Sequence, residues 1–134
     1  MEKMKMMLVD DEKRFLITTQ KLLAKKDIEV ITATSGQEAL DILQQKNIHV
    51  VIMDVKMPGM DGIAVLKEIK SRFPIVEVIM LTGHAMVESA IEELKSGATD
   101  YLMKPTGIDE LTAKAEEAFQ KRQRLEEKIR TPQS

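Results

Sequence analysis

Short apolar runs alternate with amphipathic stretches along the chain. Met6-Met7-Leu8-Val9 is a continuous apolar run stopped by Asp10-Asp11, the pattern of a strand buried on both faces. From Glu12 to Lys25 the residues Phe15, Ile17, Leu22, Leu23 and Ala24 recur largely at helical spacing among Lys, Arg and Gln, which predicts an amphipathic helix. Glu29 to Ala33 is short and β-branched, and Ser35-Gly36-Gln37-Glu38 places a capping box before Ala39, Leu40, Ile42 and Leu43. A third apolar run, His49 to Met53, ends at Asp54; Pro58-Gly59 turn chemistry follows, then a helix from about Gly62 to Arg72. Pro74 separates that helix from a fourth strand, Val76 to Leu81. A fourth helix, from about Met86 to Ser96, has Gly97 as its stop, and Tyr101-Leu102-Met103 form a short fifth strand closed by Lys104-Pro105. The last helix begins near Ile108 and runs well past Phe119, because no breaker precedes Pro132.

Five strands alternating with five helices through short loops predict a parallel α/β sheet with helices on both faces. Ligands of such sheets bind outside the carboxyl ends of the strands, where the strand order reverses.

Composition narrows the function classes. At 134 residues the chain suits one domain, and 43% apolar with 31% charged residues describes a soluble globular protein. Twenty basic against 22 acidic residues leave a formal charge of −2, so no basic field invites direct binding to nucleic acid or to an anionic membrane. Cysteine is absent, which removes disulfides, zinc-thiolate sites and thiol catalysis and suits a cytoplasmic location. No apolar run approaches the roughly 18 residues of a membrane span. Ten methionines beside three Phe and one Tyr give a core filled by thioethers more than by rings.

The predicted strand ends carry the chemistry: Asp10 and Asp11 after the first, Asp54 after the third, Thr82 after the fourth and Lys104 after the fifth. Three crowded carboxylates resist ionisation unless a hard divalent cation lies among them, and magnesium is the natural choice beside a phosphoryl group. Lys104 and the Thr82 hydroxyl can hold further phosphate oxygens. No Ser-His pairing, Walker loop or dinucleotide fingerprint is present, so a carboxylate nucleophile remains, and Asp54 on the central strand suits that role through an aspartyl phosphate.

The residues Asp10-Asp11, the stretch from Met53 to Gly62, Leu81-Thr82-Gly83 and Tyr101-Leu102-Met103-Lys104-Pro105 together resemble the receiver domain of bacterial two-component response regulators over about residues 5 to 120. Leu81-Thr82-Gly83-His84-Ala85 with Val87-Glu88-Ser89-Ala90 is most similar to receivers of the nitrogen-regulation type of transcriptional activator. The resemblance implies a flavodoxin-like, doubly wound five-stranded sheet of order 2-1-3-4-5. It also implies phosphoryl transfer to Asp54 from a sensor histidine kinase or a phosphotransfer protein. Asp11 would ligate magnesium directly, Asp10 mainly through water, with Asp54 and the Lys56 carbonyl completing the protein ligands. Thr82 and Lys104 would contact the phosphoryl group, and Tyr101 would be the switch aromatic. The signal would leave through the surface of the fourth helix, fifth strand and fifth helix, and if the long last helix is a dimer seam, dimerisation would depend on phosphorylation. A cis Lys104-Pro105 bond is expected, to turn the lysine back over the site.

Taken singly, the motifs have plainer readings. Asp10-Asp11 suits the N-terminus of the first helix, Asp54 a strand-end turn, Thr82 a helix cap and Tyr101 an ordinary half-buried strand residue. Their joint placement favours the site. His49 and His84 are expected as exposed loop residues. A phosphorylation-independent pseudo-receiver would lack one of the acids or the lysine. A magnesium-dependent phosphohydrolase would carry D-x-D where this chain has Asp54-Val55-Lys56. Residues 1–120 read as the receiver and 121–134 as a helical extension or linker. Within the last helix, Leu111, Ala115, Ala118, Leu125 and Ile129 follow a four-three spacing interrupted at Arg122, the trace of a coiled-coil seam beside the plainer reading of a solvated helix end. The chain reads as a stand-alone receiver or, as the unbroken last helix favours, a fragment whose output part lay beyond Ser134.

Overall fold

A computed structural model describes residues 2–57, 60–83 and 87–130. The elements run β1 (Lys5–Val9), α1 (Lys13–Ala24), β2 (Glu29–Ala33), α2 (Gly36–Gln45), β3 (Val50–Asp54), β4 (Lys56–Met57), β5 (Met60–Asp61), α3 (Gly62–Arg72), β6 (Glu77–Thr82), α4 (Val87–Lys95), β7 (Asp100–Met103) and α5 (Ile108–Arg130). The main sheet is parallel throughout, in the order β2-β1-β3-β6-β7, which is the expected 2-1-3-4-5 arrangement of its five strands. A two-stranded antiparallel ladder, β4 with β5, was not expected; it spans the predicted Pro58-Gly59 turn, whose own residues lie outside the described ones.

The apolar runs work as two-faced strands. Met7, Val9, Val51, Met53, Val78 and Met80 face one way and pack with Leu40 and Leu43 of α2 and Leu66 and Ile69 of α3. Met6, Leu8, Val50, Ile52, Ile79 and Leu81 face the other and meet Leu16 and Leu23 of α1 with Leu111, Ala115 and Ala118 of α5. Period-two alternation thus divides one apolar run between two cores.

Local signals set the element ends. The Ser35 hydroxyl accepts the Glu38 amide at 3.1 Å while Glu38 accepts the Thr34 amide at 2.8 Å, a reciprocal clasp that starts α2. Asp61 caps α3 by accepting the Ile63 amide at 3.0 Å. Gly97 ends the α4 segment at φ +111°, a backbone conformation open to glycine at no steric cost.

One expectation is overturned. His49 is fully buried, not an exposed loop residue. Its Nδ1 accepts the Lys5 amide at 2.9 Å, its Nε2 lies 3.2 Å from the Glu2 carboxylate, and its ring meets that of Phe119 at 5.0 Å. The far half of α5 and the start of the chain close over the amino-terminal edge of the sheet, and that cover is remote in sequence. His84 lies outside the described residues.

Candidate functional site

β1 and β3 are neighbours in the sheet, so Asp10 just after one and Asp54 at the end of the other emerge side by side. Asp10, Asp11 and Asp54 each offer a carboxylate oxygen within 4.8 Å of the others. Asp10 is fully buried and Asp54 nearly so, whereas Asp11 faces solvent. Asp10 Oδ1 accepts the Glu12 amide at 2.9 Å, which turns the chain into α1, so its expected helix-start role coexists with its place in the cluster. Asp54 Oδ1 accepts the Lys56 amide at 3.2 Å, leaving Oδ2 toward the site.

Lys104 reaches back from the end of β7. Its Nζ donates to Asp10 Oδ2 at 2.7 Å and to Asp54 Oδ2 and Glu12 Oε1 at 3.4 Å each. The Lys104-Pro105 bond is cis, as expected. The Lys104 amide donates to the Thr82 carbonyl at 2.8 Å, tying the ends of β6 and β7 together. Thr82 is buried and follows Leu81, the register partner of Asp54. Tyr101, paired with Met80 on the neighbouring strand, is half-buried against the core on the α2 and α3 face.

The electrostatics ask for a cation. Burial pushes the Asp54 carboxyl above its usual 3.8; the Lys56 amide and the Lys104 charge oppose that rise, and the Asp10 charge adds to it. Burial also works against the Lys104 ammonium, but the hydrogen bond and charge of Asp10, then Asp54 and Glu12, outweigh it and raise the lysine above its usual value. One ammonium among four carboxylates leaves negative charge uncompensated. An all-oxygen cluster with one exposed and two buried acids fits a hard divalent ion that keeps part of its water.

The expected residues Asp10, Asp11, Asp54, Thr82 and Lys104 therefore meet at one edge, with Lys56 beside them through its amide. Sequence reasoning missed Glu12, which prolongs the acidic run Asp10-Asp11, and Phe15, whose ring lies 5.0 Å from the Lys104 ammonium. A second acidic group, Glu2, His49 and Glu126, lies at the opposite edge. There Nδ1 of His49 accepts an amide proton, so the neutral ring carries its own proton on Nε2 and offers no lone pair to a metal.

Residues 6–116 match the response regulator receiver domain family. The chain is 39% identical over 112 residues to the DNA-binding transcriptional regulator NtrC of Klebsiella pneumoniae, covering 84% of this chain and 24% of that protein. It is 42% identical over 113 residues to the transcriptional regulatory protein ZraR of Escherichia coli O157:H7, covering 84% and 26%. The chain thus spans about a quarter of these relatives. A response regulator receiver domain protein from Clostridium thermocellum superposes with a TM-score of 0.85 at 38% identity, covering 91% of this chain and 98% of that one. The receiver domain of NtrX from Brucella abortus does so at 0.81 and 32%, covering 86% and 98%.

Proposed function

This chain belongs to the response regulator receiver domain family, and on that premise we propose that it is a switch whose Asp54 accepts a phosphoryl group from the histidine of a sensor kinase or phosphotransfer protein. The observation that carries the reading is the meeting of Asp10, Asp11, Asp54 and Lys104, residues as far as 94 positions apart, around one carboxylate. Asp54 Oδ2 attacks phosphorus, the phosphorus–nitrogen bond of the donor breaks, and its electron pair leaves with the imidazole nitrogen. Lys104, 3.4 Å from that oxygen, pairs with an equatorial phosphoryl oxygen, and the Thr82 hydroxyl binds another. Asp10, Asp11, Asp54 and the Lys56 carbonyl would hold magnesium, which when bound neutralises the carboxylates and the incoming phosphoryl charge.

The readout we assign to α4, β7 and α5. Ile91 and Leu94 of α4 and Met103 of β7 are 45%, 44% and 51% exposed, and Met103 lies two residues after Tyr101 on its strand. A phosphoryl group adds about −1.5 to −2 charges and three acceptor oxygens. It would draw in the Thr82 hydroxyl, make room for the Tyr101 ring and alter this surface. The output served by the surface, DNA binding in relatives such as NtrC, is a proposal for this chain.

Incubation with acetyl phosphate and magnesium should add one phosphoryl group. Asp54→Asn, or chelation of the metal, should abolish the modification, and Lys104→Ala should leave metal binding largely intact while weakening the response to it. Equal labelling of Asp54→Asn would overturn the assignment.

A further inference from the structure

Lys104 is held from one side by carboxylates and from the other by an aromatic ring that belongs to none of the site motifs. Phe15, in the first turn of α1, presents that ring 5.0 Å from the ammonium, while Asp10 and Asp54 lie at 2.7 and 3.4 Å. We propose that Phe15 is a positioning residue for phosphoryl transfer: its ring face keeps the Lys104 ammonium beside Asp54 Oδ2. The inference rests on the reading of Asp54 as the phosphoacceptor and adds a determinant to it.

A lysine needs such a restraint here. Its ammonium ends a flexible four-carbon stem and is strongly hydrated. Lys104 borders a cavity of about 410 Å³, lined also by Glu12, Phe15, Gly83, Pro105 and Thr106, into which the stem could swing. Glu12, at 3.4 Å and largely exposed, offers a competing carboxylate outside the buried cluster. The ring acts differently from either acid. Its electron-rich face attracts the cation through the quadrupole without taking a conventional hydrogen bond, so the three N–H donors remain for Asp10, Asp54 and a phosphoryl oxygen. Its position is set by α1, whose Leu16 and Leu23 are buried in the core, and Phe15 itself packs partly against that core.

The test separates the ring from its packing. In Phe15→Leu the apolar contact stays and the π face is lost; in Phe15→Tyr the face stays. With acetyl phosphate and magnesium, the labelling rate should fall about two- to fivefold in Phe15→Leu, the range of a partly exposed cation–π contact, and stay near wild type in Phe15→Tyr. Magnesium affinity, measured by calorimetry, should be the same in all three. By NMR, the Lys104 ε-methylene protons should lie upfield of free lysine in wild type and Phe15→Tyr through the ring current, and return in Phe15→Leu. Should Phe15→Leu fail to fold, the wild-type shift still decides, because its absence overturns the contact. A labelled wild type with an unchanged Phe15→Leu rate overturns the role of Phe15 alone. A wild type that takes up no label overturns the phosphoacceptor reading, whatever the ring current shows.

Discussion

The Arg122 guanidinium is buried at the amino-terminal edge of the sheet and uses every face of its donor fork. It donates to the carbonyls of Ile48 at 3.0 Å and Ile75 at 3.4 Å, to Asn47 Oδ1 at 3.0 Å and to Glu126 at 2.6 Å. A charge that breaks an apolar spacing in sequence is here the residue that locks α5 to two loops. Arg122→Ala strips partners from the buried Ile48 carbonyl and from three partly buried bonds at once, and chemical denaturation should show a loss on the order of 3 kcal/mol. A change below about 0.5 kcal/mol, the level of an ordinary surface substitution, would contradict the clasp. Glu93 on α4 is the opposite case, buried with neither carboxylate oxygen hydrogen-bonded among the described residues. Burial, then the Glu92 charge, raises its carboxyl above the ordinary 4.5. An acid whose folded value is raised contributes stability that is fully present below 4.5 and is lost as pH rises through the folded value. Glu93→Gln should therefore raise the melting temperature at pH 7, with the gain shrinking on acidification toward pH 4; an equal gain at both pH values would refute the titration.

At the scale of elements, the turn from β3 into α3 sets the position of Asp54, the proposed phosphoacceptor. A Cβ on Gly62 would stand 2.5 Å from the Val55 carbonyl oxygen and 2.9 Å from that of Asp54, both backbone atoms, so α3 can start this close to the strand end only with glycine. Gly62→Ala must push helix and strand apart. It should cost roughly 1–3 kcal/mol in denaturation, the range of overpacking, and slow labelling of Asp54 as well. Labelling at the wild-type rate would show that the strand end tolerates the shift.

For the whole molecule, the sheet joins the site to the surface assigned to output. Thr82 and Met103 are register partners, and Tyr101 lies two residues before Met103 on the same strand. Occupation of the site by beryllofluoride, a phosphoryl mimic, with magnesium should move the resonances of this single tyrosine. An unchanged tyrosine in the saturated complex would sink the switch mechanism. Sedimentation of the same samples tests assembly. Arg122 occupies the buried face of α5 where the apolar spacing breaks, Leu125 is half-buried, and Ile129 is exposed. A seam between two copies would therefore begin only near the far end of the helix.

What the sequence determined by itself was whatever depends on neighbours in the chain. Apolar runs and helical spacings located the ten main elements, with the far ends of α2 and α5 left open, and the Ser35 to Glu38 box started its helix, because periodicity and capping are local. Strand-end placement then sufficed to bring Asp10, Asp11, Asp54, Thr82 and Lys104 to one edge, since a parallel sheet aligns its carboxyl ends. Tertiary structure alone decided the burial of His49, the clasp of Arg122 and the approach of Phe15 to Lys104. Each depends on which face of a helix meets which loop across dozens of residues. A charged or polar side chain is written the same way in sequence whether water or a buried partner satisfies it, and only the packed fold supplies the partner.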